Sequence, residues 1–214
     1  MKILFTLFLI IHITAGTFGL ITGTLNTILK KGTKRHKLIG RIFLMCMTVN
    51  AVSSFVLAII HPNVFLFIVG VFSLYLVHAG NRILQLKIIT ETLKPKFFDW
   101  TLQIGMILFS CGFISLGIIT LIQQNTFGIV YITFGFIGAR LAFKDIRYYQ
   151  RKIINKNYWL TSHLSKMMGG YIAALTAFLV VNNKILPPLI AWLLPTFFGS
   201  LLIFKWIKGV KQTS

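Results

Sequence analysis

Seven stretches of about twenty mostly apolar residues follow one another along this chain, and that pattern leaves few folds open. They lie at about 3–25, 38–60, 64–86, 98–122, 126–146, 159–181 and 186–207. A helix rises about 1.5 Å per residue, so each stretch is long enough to cross a hydrocarbon layer about 30 Å thick. Backbone N–H and C=O groups find no water there and must pair within the segment, so each span has to be a helix or part of a closed barrel. Unbroken apolar runs of this length, without the alternation of a barrel strand, predict helices. The expected fold is all-α: a single polytopic membrane helix bundle over residues 1–214, with seven transmembrane helices.

The breaks carry turn chemistry. His61-Pro62-Asn63 separates the second and third stretches, and Gln123-Gln124-Asn125 the fourth and fifth. Asn182-Asn183-Lys184 precedes Pro187-Pro188, which suit the start of the seventh helix because proline's missing N–H has no partner there. Pro195, inside the seventh, is expected to kink it. The first stretch imitates a signal peptide, with Lys2 ahead of an apolar run. That run continues past Leu25, contains His12 and shows no good cleavage site, so it reads as a retained first span.

Composition agrees. Only 12% of residues are charged and 56% are hydrophobic, with a mean hydropathy of +0.82. A water-exposed monomer carries about a quarter charged residues, so the solvent for most of this surface is lipid. The charge balance, 22 Lys and Arg against 3 Asp and Glu, would suit nucleic acid on a folded basic face. Here the cations instead cluster between apolar runs, so no nucleic-acid partner is expected. Lys30 to Arg41 alone holds six, and with the loops near Arg82–Lys96 and Arg140–Lys156, Lys166 and the chain end, twenty of the 22 fall on one side. Lys2 and Lys184 are left for the other. Cations of short loops stay cytoplasmic, which predicts the N-terminus outside and the C-terminus cytoplasmic. The expected partners are the bilayer itself and anionic lipid head groups at the cytoplasmic face. Trp100, Trp159, Trp206, Tyr148, Tyr149 and Tyr158 are expected to form an interfacial belt at that face. Cys46 and Cys111 sit in apolar runs and read as small hydrophobes.

Polar side chains inside hydrocarbon are costly unless they face protein, water or a ligand, so they mark candidate sites. His12 shares a face with Gly16, Gly19 and Gly23, and His36 one with Gly40, Met47 and Asn50. His78 shares a face with Arg82 and Gln85, Asp99 with Gln103 and Ser110, and His163 with Met167 and Gly170. Helical rise puts His12 near the midplane, with His78 about 12 Å and His163 about 6 Å from the inner surface. His36 stands at that boundary, and Arg41, Arg140 and Lys166 lie around the three. Facing imidazoles can hold a haem iron, and nearby cations can meet its propionates. His163 and His78 are the candidate metal ligands in that case. One haem b is the ceiling, because Asn50 rather than a second histidine stands fourteen residues after His36. A quinone head, needing one or two polar anchors in an apolar slot, fits as well.

The acids Glu91, Asp99 and Asp145 all fall near cytoplasmic ends, which lowers the expectation of a proton pump. The seventh span has no lysine before Lys205, at its inner end, to serve a retinal-type Schiff base, and no phosphate-loop, zinc-protease or nucleophile-elbow motif occurs. The depths of the histidines also argue against one tight zinc cluster.

His12-Ile-Thr-Ala-Gly16, Lys31-Gly32 followed by His36, Gly40 and Arg41, Trp159 through His163 to Met167, and Tyr171 to Phe178 with Val181-Asn182 together resemble a bacterial family of predicted multi-pass membrane proteins catalogued as a domain of unknown function. The resemblance spans most of the chain. It implies a bacterial inner (cytoplasmic) membrane protein, places emphasis on His12, His36, His163 and Asn182, and leaves His78 outside the pattern. It supplies no substrate. The leading functional expectation is a redox or redox-accessory protein binding one haem b or a quinone through inner-half histidines. The alternatives are a carrier or permease for a small or lipophilic solute and a non-catalytic membrane assembly subunit. The topology is directly testable. A reporter active only outside the cytoplasm should work when fused after Asn125 and fail after Ser214; activity after Ser214 would put the span count wrong by one.

Overall fold

The computed structural model of the chain describes residues 1–87, 89, 93–153 and 155–212. Among the described residues there are seven α-helices: α1 (Lys2–Ile28), α2 (Lys34–Ile60), α3 (Val64–Arg82), α4 (Phe97–Ile122), α5 (Gly128–Tyr149), α6 (Tyr158–Asn182) and α7 (Pro188–Gln212). No strand occurs among the described residues. Six of the helices are long and apolar enough to cross a membrane. α5 is the one outside that set, because its last three turns carry Arg140, Lys144, Asp145 and Arg147. The third span runs Val64–Gln85, close to its apolar stretch, with α3 ending at Arg82 and a 3-10 turn, Ile83–Gln85, completing it. Glu91 lies outside the described residues.

Short connections return α2 beside α1, α3 beside α2, α5 beside α4 and α7 beside α6, and local chemistry sets the turns. Thr33 accepts from the His36 N–H to start α2, Asn63 accepts from the Leu66 N–H to start α3, and Asp99 accepts from the Lys96 N–H at 2.7 Å to start α4. Pro188 opens α7 and Pro195 lies inside it, as the sequence indicates. The C-terminal ends of α1, α3, α5 and α7 lie at one end of the bundle, here the basic end, where Lys31 stands over Trp206 and Lys87 over Trp159. The N-terminus and the other loops lie at the opposite end.

α3 is the hub. It packs against α2 and α6 and also meets α4 and α5, and over Ile68–Val77 every residue but Leu74 is buried. The main core joins Phe72, Tyr75 and Leu76 of α3 to Met106 and Phe113 of α4, Val130 and Phe134 of α5, Ala173 of α6 and Trp192 of α7. The outside is as apolar as the inside: Ile3, Ile10, Phe136 and Phe204 are among many exposed large hydrophobes. Burial alone therefore does not hold the helices together, since lipid solvates such side chains equally well; close fit and interhelical hydrogen bonds must do so.

Small residues supply the fit. In the α1–α2 hairpin Gly16 faces Asn50 and Gly19 faces Met47. In the α4–α5 hairpin Gly117 faces Gly128, while Gly135 and Gly138 face Ser110 and Met106. A side chain on Gly117 would meet the Gly128 carbonyl at 2.7 Å and the Ile132 nitrogen at 3.0 Å, which are backbone atoms that cannot swing away. Gly112 on the exposed face of the same helix has nothing within 4 Å. Gly117→Val should therefore destabilise the protein by about 2 kcal/mol in detergent unfolding, and Gly112→Val should change little; equal behaviour of the two would contradict the packing.

Candidate functional site

Two polar seams and one groove hold the side chains that lipid does not tolerate. The first seam lies between α1 and α2. His12 Nδ1 sits 3.1 Å from the Asn50 carbonyl and 3.2 Å from Ser53 Oγ. Ser53 Oγ itself donates to the Asn50 carbonyl, so both groups accept here and His12 Nδ1 is the donor. The Asn50 amide returns a hydrogen bond to the His12 carbonyl at 2.9 Å. With its own amide oriented to suit its neighbours, Asn26 donates to the His36 carbonyl at 3.2 Å and accepts from the Gly40 N–H at 3.0 Å. His12, His36 and Asn50 thus stitch α1 to α2.

His78 and His163 are similarly engaged. Thr48 Oγ donates to the Leu44 carbonyl at 2.7 Å, which leaves it to accept from His78 Nε2–H at 3.0 Å. His163 Nδ1–H donates to the Gly80 carbonyl at 2.7 Å. That bond leaves His163 Nε2 with a free lone pair, the form a metal ligand needs. His78 spends its Nε2 on α2 instead. Among the described residues no three His, Cys, Asp or Glu side chains gather to hold a metal ion.

The second seam runs through α3, α4, α5 and α6 near the basic end, and most of it is not foreseen from the sequence. Asp145 of α5 is 0% exposed and Lys166 of α6 is 1% exposed; they pair at 2.8 Å. Tyr158 and Ser162 add hydrogen bonds to the same carboxylate oxygen at 2.7 and 3.2 Å. The other oxygen, Oδ2, has no hydrogen-bond partner. Alongside, Tyr75 donates to Gln103 Oε1 at 2.9 Å, and the Gln103 amide donates to Tyr149 at 3.2 Å. Arg82 forks onto Asp99 at 2.6 and 3.0 Å and also bonds Gln85.

These contacts correct several expectations. Lys166 is a buried partner of Asp145, not a loop cation, since eight residues of α6 precede it and bring it about 12 Å inward. Asp99 and Asp145 are fully buried although they lie near helix ends. Tyr148 and Tyr149 are buried too: Tyr148 donates to the Leu86 and Lys87 carbonyls at 2.7 Å, so neither joins an exposed aromatic belt. Asn182 is exposed and its amide bonds back to the Phe178 carbonyl of its own helix, so it does not face the bundle. Arg41 is exposed at the basic end, whereas Arg82 does face the bundle.

The groove lies between α5 on one side and α6 and α7 on the other, with Phe72 and Leu76 of α3 as its floor. It encloses about 400 Å³, within the range of small-molecule sites. Val130, Phe134, Ile137, Ile172 and Ala173 line its length. Arg140 and Lys144 stand at its basic end, and Thr133, Ser165, Thr196 and Ser200 are spread along its lining. At the opposite end Trp192 closes it, edge-on to Phe65 at 4.0 Å and to Phe127 at 5.4 Å. The groove exists because α5 packs tightly on α4 but only sparsely on α7. The Asp145–Lys166 clasp ties α5 to α6 beside it.

A haem does not fit this arrangement. Neither His78 nor His163 lines the groove or the apolar cleft between α3 and α4, and the two rings are turned onto different helices. No family model matches the chain, and no curated protein or solved structure matches it either.

The clasp yields a stability prediction. Removing one partner of a buried ion pair strands the other charge, whereas replacing both with apolar residues of similar size does not. Lys166→Met alone should cost about 3 kcal/mol in detergent unfolding, and Asp145→Leu with Lys166→Met should recover most of that. Equal stability of the single variant and the unaltered protein would show that the pair does not form.

Proposed function

We propose that the chain is a seven-span protein of the bacterial cytoplasmic membrane, with its N-terminus outside and its basic end in the cytoplasm. In this reading it takes up a lipophilic solute sideways from the bilayer, as a carrier or a lipid-interacting protein. The cation distribution supports the orientation, although Lys166 no longer counts toward it. α5 supports the seventh span because its charged turns face the basic end, where arginine and lysine stems reach the interface. The resemblance to the bacterial family of unknown function belongs to the same proposal.

One observation carries the functional part: the α5–α7 groove is lined mainly by apolar side chains, with the Thr133 and Ser165 hydroxyls spent on carbonyls of their own helices, and is cationic at one end. A water-soluble solute would need polar groups along such a path, and a haem would need a histidine in it. A lipophile needs neither, and the sparse α5–α7 contact gives it a lateral way in. The redox reading recedes because its histidines serve as interhelical hydrogen-bond partners away from the groove.

A neutral alkyl probe bearing a diazirine, photolysed in membranes, tests this. Its label is expected to concentrate on α5 and α7 over the other lipid-facing helices. Ser200→Trp, which fills the groove from an exposed position, should reduce that label several-fold without changing stability. Label spread evenly over all helices would contradict the reading.

A further inference from the structure

We infer that the groove holds one acyl chain of an anionic phospholipid from the leaflet at the basic end, with the lipid phosphate on Arg140 and Lys144. This rests on the lateral-entry reading and adds the chemistry of the ligand. The inference starts from Arg140. It lies within α5, nine residues before the helix ends and therefore about 13 Å along the axis from that end. It is exposed on the groove side, and among the described residues it has no hydrogen bond or ion pair. An arginine at such a depth is costly unless an anion or water meets it. Its stem can carry the guanidinium toward the surface, to the level where lipid phosphates lie, and the guanidinium fork suits phosphate oxygens.

Lys144 follows four residues later, on the same face. Of the described carboxylates, Asp145 faces Lys166 and Asp99 faces Arg82. Among the described residues lining the groove there are two cations, Arg140 and Lys144, and no acid.

Length identifies the tail. From Arg140 to Val130 is ten residues, about 15 Å, which is half of a hydrocarbon layer about 30 Å thick. An acyl chain whose phosphate is drawn inward to Arg140 has that reach, and Trp192 stops the groove there, near the outer start of α5. A free phosphate would leave the apolar length empty. A neutral quinone would fill it but leave Arg140 without its anion.

Trp192 reports on the groove directly. In a variant carrying Trp100→Phe, Trp159→Phe and Trp206→Phe, it is the sole tryptophan. Its fluorescence is read in vesicles made with chain-brominated phosphatidylglycerol or with phosphatidylcholine bearing the same chains. Quenching should favour phosphatidylglycerol about fivefold, the equivalent of about 1 kcal/mol for a cation near an anionic head group. Arg140→Gln should bring the preference down toward one, and Arg140→Lys should keep most of it, which separates loss of charge from loss of fold. Strong quenching that is equal for both lipids overturns the head-group assignment and leaves lateral entry standing. A preference that persists in Arg140→Gln combined with Lys144→Gln overturns the assignment as well. Absence of quenching by either lipid overturns both.

Discussion

The buried pairing of Asp145 with Lys166 is the contact on which the arrangement at the basic end depends. α5 belongs to a hairpin with α4, and α6 belongs to the group formed with α3 and α7. Where helix surfaces are solvated by lipid, apolar contact gives these two groups little reason to stay together. The ion pair opposes their separation, because parting it would leave a full charge in a medium that cannot solvate it, and Arg82–Asp99 and Tyr75–Gln103 link the same two groups. Tyr158 and Ser162 donate to the same carboxylate oxygen, so one acid gathers three side chains of α6. The unpartnered second oxygen is the unsatisfied polar atom that remains there.

Because the clasp is local, α5 and α7 stay apart over the rest of their length. The glycine contacts of the α4–α5 hairpin pull α5 toward α4 and so widen that gap. The groove follows from these two constraints and from Trp192, whose ring is fixed by Phe65 and Phe127. Its apolar walls and cationic mouth reproduce the polarity of the leaflet beside it, hydrocarbon next to a charged surface. That match makes a membrane amphiphile a better occupant than a water-soluble molecule.

Much of the fold was legible in the sequence. Helix positions follow from apolar run length, and the turns at His61–Asn63 and Gln123–Asn125 follow from residues that break helices. The small face of α1 is visible as the spacing of Gly16, Gly19 and Gly23, a face His12 shares, though its partner helix is not. The second seam was much less legible. Spacing put Asp99 with Gln103 on one face of α4, but nothing in a single sequence links Asp145 to a lysine 21 residues later across a loop. Positive charge near a loop looks the same whether it faces lipid heads or a buried acid, and so Lys166 was read as a topology signal. The tyrosines misled similarly, because an amphipathic ring suits an interface and a buried acid equally well. The groove was not legible at all: it is a gap between helices, set by how closely each pair packs. A signal was available in Arg140, a cation inside an apolar run without a nearby acid on its own face.

The central claim is that the space between α5 and α7 is a lipid site open to the bilayer. The most direct measurement is an experimental density map of the protein in lipid nanodiscs. A continuous rod of density running from Trp192 to Arg140, ending in a head group against the guanidinium, is the expected result. α7 packed directly onto α5, with no space between Phe134 and Ser200, would contradict it.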